Sequence, residues 1–188
     1  MTLKGILTGI FIVSDLDSLI SKRVPVIDVL ENGFEGDKHQ GWFRKADARA
    51  KRYLKGTSIW NSRQLSIVSE EELALIAKDL GIEKIEPEWL GANMCVRGIP
   101  DFSLLKPRTK VFIPNENKLD TSEVGLYITA PNKPCIHPGK VIQSHYPHIH
   151  GLDISFSKAA YSRRGVVAVV EHRGIIKENS SILVIIQD

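Results

Sequence analysis

The stretch "APNKPCIHPGK", residues 130–140, holds one of the two cysteines of this 188-residue chain. As a thiolate, Cys135 would be a nucleophile or a soft metal ligand. Pro131, Pro134 and Pro138 fix φ, remove backbone donors and push each preceding residue towards an extended conformation. The segment therefore reads as a stiff loop through which neither a helix nor a central strand runs, with the thiol held on it. The competing reading is an inert loop thiol. Cys95, in "GANMCVRG", sits between Met94 and Val96 and reads as a small buried hydrophobe. His137 forms a Cys-x-His pair with Cys135, and "SHYPHIHG" adds His145, His148 and His150. That spacing matches none of the usual closed zinc sites, which leaves exposed polar residues as the simpler reading.

Five other stretches carry side chains suited to a ligand. In "NGFEGDKHQGW", residues 32–42, glycines allow a sharp turn close to a ligand, with Asp37 and His39 at its rim; a polar turn after a strand is the alternative. In "NSRQLSIVSEEE", Arg63 and Gln64 precede a strand and a helix. An arginine there can clamp a phosphate or carboxylate, or make a surface ion pair. Asn93 can read a heterocycle edge through its amide donor and acceptor. Arg163 and Arg164 stand at the entrance of an apolar strand, where they could hold an anion. Between Arg44 and Lys55 six basic residues face one acid, which suits a mobile surface loop that attracts anionic ligands. A nucleic-acid groove is the weaker reading, because only Phe43 and Tyr53 supply stacking rings at its edges.

Elements that could position these residues are mostly strands. Apolar runs rich in Ile and Val, cut by Gly, Pro, Asn and Asp, predict strands at Lys4–Val13, Val24–Leu30, Gln64–Ser69, Asn93–Arg97, Lys110–Pro114, Gly125–Ala130, Gly165–Glu171 and Ser181–Gln187. "SEEELALIAKDLG" predicts a helix with Ser69 as N-cap, Glu72 closing a capping box, and Gly81 at the C-terminal cap. Leu73, Ile76, Ala77 and Leu80 share its core-facing side. A second helix is predicted near Leu152–Tyr161. The last two strands read as a hairpin, and their near-continuous apolar content predicts burial on both faces. The excess of strands over helices and the lack of repeating βαβ alternation argue against a doubly wound sheet.

Composition sets the class. Hydrophobic residues make up 43% and charged residues 25% of the chain, with a net charge of +3, as expected for a soluble globular protein. The longest apolar runs fall far short of the roughly 18 residues that span a bilayer, so no membrane association is expected. The N-terminus lacks a cleavage site and reads as a first strand. Two cysteines forty residues apart do not make a disulfide framework, which predicts free thiols and a cytoplasmic setting.

Taken in order, "GFEGDKHQG", "RQLSIVS", "LGANM", "KPC" and "RRG" resemble the MOSC domain, the module named after the C-terminal part of molybdenum cofactor sulfurase. The resemblance covers almost the whole chain. It implies one domain over residues 1–188, mainly β, a distorted closed barrel of the MOSC and pyruvate-kinase-barrel type with a few short helices, in a stand-alone member of bacterial type. It also implies that Cys135 either ligates the molybdenum of a pterin cofactor (molybdopterin) or carries sulfur as a persulfide. Asp37, His39, Arg63, Gln64, Asn93 and Arg164 would line the cofactor pocket. The leading expectation is then a reductase of N-hydroxylated small molecules, its electrons supplied by a separate donor protein. The alternative is a sulfur carrier loaded on Cys135 by a separate cysteine desulfurase, and a third is a binding module for nucleic acid or another anion without chemistry. Pyridoxal phosphate, sometimes associated with the family, finds no lysine in a Schiff-base setting. The chain departs from the pattern at Ala92, where many members carry an acid, and in the turn "KENSS", which lacks the usual Gly-Asp.

Overall fold

A computed structural model describes residues 1–15, 17–117, 119 and 122–186. Its strands, in chain order, are β1 (Thr2–Ile12), β2 (Lys22–Val24), β3 (Val26–Leu30), β4 (Gly33–Phe34), β5 (Phe43–Lys45), β6 (Ser58–Trp60), β7 (Leu65–Ser69), β8 (Met94–Arg97), β9 (Lys110–Ile113), β10 (Val124–Pro131), β11 (Val166–His172), β12 (Gly174–Lys177) and β13 (Ser181–Ile185). Three helices accompany them: α1 (Glu70–Leu80), α2 (Ile136–His145) and α3 (Leu152–Ala159).

Seven strands close a mixed barrel in the order β1, β13, β9, β10, β11, β7, β8 and back to β1. The mainly β, closed-barrel expectation is met. Every neighbour is antiparallel except β7 and β8, which run parallel because α1 carries the chain between them. β1 is long enough to serve two partners. Thr2–Ile6 pair with β13 and Ile6–Ile10 with β8, and an irregularity between Leu7 and Gly9 lets one strand turn the corner. Closure gives each of these strands a neighbour on both sides, so the barrel has no free sheet edge among them.

Alternation along the strands divides the apolar residues between two cores. Ile67, Met94 and Val96 point into the barrel with Leu7, Phe34, Phe102, Leu126 and Ile128. Val68 and Cys95 point outward, against Leu73 and Ile76 of α1, Ile142 of α2 and Phe156 of α3. This explains the unbroken apolar runs, since strands buried on both faces need no polar alternation.

Three expectations are corrected. The last two strands do not form a hairpin: both edges of β11 are taken by β10 and β7, and β13 lies between β9 and β1. The chain between them forms β12, which pairs with β3; the final residue of the expected strand, Gln187, lies outside the described residues. The capping box is half made. Ser69 Oγ accepts from the Glu72 amide at 3.4 Å, but the buried Glu72 carboxylate turns away to accept from Ser103 N–H and Oγ–H, at 2.9 and 2.6 Å. A helix also begins immediately after Cys135. Pro138 falls in its first turn, where the backbone amides have no intrahelical partner and a missing N–H costs nothing. Most of the basic stretch lies in the loop 46–57 that joins β5 to β6, with Ala46 buried beneath it. The helix expected near Leu152 is found as α3. Among the described residues no helix is long and apolar enough to cross a membrane.

α2 reaches its place by lying directly on α3. A Cβ at Gly139 would sit 2.4 Å from the Asp153 carbonyl oxygen, so the two backbones can approach only because that side chain is absent. Gly139→Ala should therefore destabilise the fold by about 1–3 kcal/mol despite the better helix propensity of alanine. A thermal melt should show the midpoint lowered by roughly 2–4 °C for each kcal/mol lost. An unchanged midpoint would mean that the helices are not in close backbone contact.

Candidate functional site

A cavity of about 400 Å³ opens where the turn after β4, the β5–β6 hairpin, the start of β7, the turn before β8 and the loop from β10 into α2 converge. Cys135 lies at its edge. It is exposed and unpaired, occupies the N-cap position of α2, and makes no side-chain cap hydrogen bond. The helix therefore presents the positive end of its dipole beside the thiol. Of the residues singled out in the sequence, His39, Arg63, Asn93 and Arg164 line this cavity with Cys135; Asp37 and Gln64 do not.

Arg164 is 5% exposed. Its Nη2 donates to the Leu90 carbonyl at 2.6 Å, while Nη1 is buried with no partner among the described residues. Burial, with Arg63 adding to it, pushes the guanidinium down to about 10. The adjacent loop is pinned by Ser103 Oγ, which accepts from the Gly165 amide at 2.6 Å while donating to Glu72. Burial pushes the Glu72 carboxyl above its ordinary range. Gly165 itself has φ +85, and a Cβ there would meet the Ile67 carbonyl oxygen at 1.9 Å. The "RRG" glycine is thus required by the close passage that carries Arg164 inward.

Arg63 is likewise pushed down to about 10, first by burial and then by Arg49 and Arg44. Its Nη2 donates to Asn132 Oδ1 at 2.8 Å. Asn132 donates in turn to Ser66 Oγ at 3.0 Å, and its backbone amide donates to the Gly165 carbonyl at 2.9 Å. One asparagine, three residues before the cysteine, therefore couples both arginine-bearing segments to the loop of Cys135. Arg44 and Arg49 reach the cavity from the hairpin. Asp47 sits between them, and the hydrogen bond from Arg49 holds its carboxyl down at about 2. Arg44 Nε is buried without a partner among the described residues. With Asp47 as the acid among these side chains, the cavity carries a large excess of positive charge, which suits an anion.

Asp37 acts from behind the cavity wall. Its side chain is fully buried. Oδ2 accepts from the Val13 amide at 2.7 Å and from Asn93 Nδ2 at 2.9 Å; Oδ1 accepts from the His39 amide at 2.8 Å and meets His39 Nδ1 at 2.9 Å. Burial by itself would raise this carboxyl, but the hydrogen bonds and charge of His39, with the Val13 amide, prevail and hold it below its ordinary 3.8. Asn93 completes the tie by accepting the Ser66 amide on Oδ1 at 3.0 Å. Gln64 faces the opposite way from Arg63, as neighbours in extended chain do. Its Oε1 accepts from the Val170 amide at 2.8 Å, a structural role inside the wall.

Sequence reasoning missed Asn132, for which adjacency to "KPC" was the available signal, and did not single out Arg44 and Arg49 within the basic stretch. Arg163 lies outside the cavity, paired with Asp79 at 2.6 Å. His145 stacks on Trp89 at 4.0 Å and His148 meets Tyr146 edge-on at 6.3 Å. Among the described residues no group of three or more His, Cys, Asp or Glu could hold a metal ion. Cys95 is buried, and burial pushes its thiol up to about 12.

The sequence pattern of the MOSC domain matches residues 39–182. A protein of Bacillus subtilis strain 168, YuaD, is 40% identical over 168 residues, which cover 89% of this chain and 83% of that one; its name assigns it provisionally to metal–sulfur cluster biosynthesis. The crystal structure of the YUAD protein from Bacillus subtilis superposes with a TM-score of 0.94 at 36% identity, covering 100% of this chain and 99% of that one. YiiM from Escherichia coli shares the fold more distantly, with a TM-score of 0.56 at 15% identity, covering 100% of this chain and 71% of that one.

The four hydrogen bonds to Asp37 generate a pH prediction. Because its folded pKa lies below 3.8, the contact stabilises the fold above that value, and the contribution is lost as the pH falls through the folded value. Asp37→Asn should cost roughly 1–3 kcal/mol at neutral pH, since an amide cannot accept from all four donors. Denaturant titrations from pH 7 down to pH 2 should show the gap between wild type and variant closing at the acid end. A gap independent of pH would remove the carboxylate from this role.

Proposed function

Because the chain belongs to the MOSC domain family, we propose that it is a sulfur carrier, accepting persulfide sulfur on Cys135 for the assembly of a metal–sulfur cofactor. The observation that carries this reading is the contrast between the two thiols. Cys135 is exposed at the N-terminus of α2 and borders a cavity walled by Arg44, Arg49, Arg63 and Arg164. Cys95 is buried and held protonated by its surroundings. A persulfide is an anion that needs access to both a donor and an acceptor; a helix N-terminus and nearby guanidinium groups favour the charge, and exposure gives the access. The provisional name of the Bacillus relative supports the same direction.

Loading is read directly by intact mass. Incubation with a cysteine desulfurase and cysteine should add one sulfur atom to the wild type and to Cys95→Ser, and none to Cys135→Ser. Sulfur gained by Cys135→Ser as readily as by wild type would defeat the assignment.

A second reading is favoured by one specific observation, the buried and unpartnered Nη1 of Arg164 beside Arg63. These groups fit the phosphate of a molybdenum–pterin cofactor, and Cys135 offers a single sulfur ligand of the right softness. When bound, such a cofactor would supply a metal cycling by two electrons, as a reductase of N-hydroxylated compounds requires. Arg63 and Arg164 would hold the phosphate, and Asn132 would keep Arg63 aimed at it. Metal and pterin analysis after expression in a cofactor-competent host should then find both in the wild type, with molybdenum lost from Cys135→Ser. Neither being present in the wild type would eliminate this reading.

A further inference from the structure

The sulfur-carrier reading requires a proton to leave one thiol and reach another, and the cavity contains a side chain built for that step. We propose that His39 is the acid–base residue of the cavity, oriented by Asp37, and that it moves the proton during sulfur exchange at Cys135. The inference rests on the sulfur-carrier reading.

A carboxylate can only accept, so the 2.9 Å contact between Asp37 and His39 Nδ1 makes Nδ1 the donor, and in the neutral imidazole the lone pair is then on Nε2. Nε2 has no hydrogen-bond partner among the described residues, and the imidazole, with 39% of its side chain exposed, lines the same cavity as Cys135. The orientation is rigid. Asp37 is locked through its second oxygen by Val13 and Asn93, and the His39 amide is bound to the same carboxylate as its ring. No other histidine lines this cavity among the described residues, and the arginines there can only donate.

The exchange balances without an added oxidant or reductant. With a persulfide donor, R–S–SH, the Cys135 thiol gives its proton to Nε2 and its sulfur attacks the outer sulfur of the donor. The S–S bond of the donor breaks as the new S–S bond to Cys135 forms. The electron pair of the broken bond stays on the inner sulfur of the donor, which takes the proton back from Nε2 and leaves as R–SH. One sulfur–sulfur bond replaces another, and Asp37 stabilises the imidazolium formed between the two proton transfers.

The test is single-turnover sulfur transfer from glutathione persulfide to the purified chain, followed by intact mass. At saturating donor, His39→Gln should slow the transfer by about a hundredfold or more, with the donor concentration for half-maximal rate unchanged. His39→Ala should be slowed similarly, and added imidazole should restore its rate, a rescue that a purely structural role would not give. His39→Gln reacting at the wild-type rate, or a folded His39→Ala that imidazole fails to rescue, would overturn the inference alone. A wild type that takes up no sulfur from either glutathione persulfide or a desulfurase would overturn the carrier reading and this inference with it.

Discussion

A guanidinium group carried into the protein without a counter-ion is the constraint around which the site is arranged. Among the described residues, Arg164 has one nitrogen on the Leu90 carbonyl and another without a partner, and Arg63 borders the same cavity with Asn132 accepting from it. Burial is the main reason both are pushed down to about 10, with Arg63 adding to it at Arg164, and Arg49 and Arg44 adding to it at Arg63. At neutral pH they nevertheless keep their protons. The fold holds a field ready for an anion, at a cost to stability that a well-packed barrel can offset.

Rigid supports make that field usable. Asn132 links Arg63 to the β10–β11 passage, Ser103 links the Arg164 loop to Glu72 on α1, and Asp37 links the end of β1 to His39 and Asn93. None of these supports needs to touch a ligand. They fix rotamers and loop paths so that the side chains in the cavity cannot relax away from one another. Asp37 shows how a residue essential to a site's shape can lie behind it, fully buried, with every acceptor position occupied.

The barrel also separates the two cysteines by the simple alternation of a strand. Cys95 points outward from β8 into the layer beneath α1, α2 and α3, where burial makes it inert. Cys135 stands where β10 has ended and α2 begins, a transition that offers both exposure and a helix terminus. Their different chemistry follows from surroundings, since the side chains are identical.

Local sequence determined a good deal. Apolar runs, turn residues and the Ser69–Gly81 signals located most strands and α1, because those elements answer to propensity and capping within a few residues. The order of the motifs marked the family, and residue type alone separated Cys135 in its proline-rich stretch from Cys95 among apolar neighbours. Pairing was decided only in three dimensions. A barrel closes by giving each strand two partners, so β11 and β13 part company although they are near neighbours in the chain, and no local signal records that. Tertiary structure likewise decided that Asp37 and Gln64 face away from the cavity, that Glu72 abandons its capping box for Ser103, and that Asn132, Arg44 and Arg49 join the site. Each depends on which way a side chain points once distant segments meet, and that direction is set by packing across the barrel.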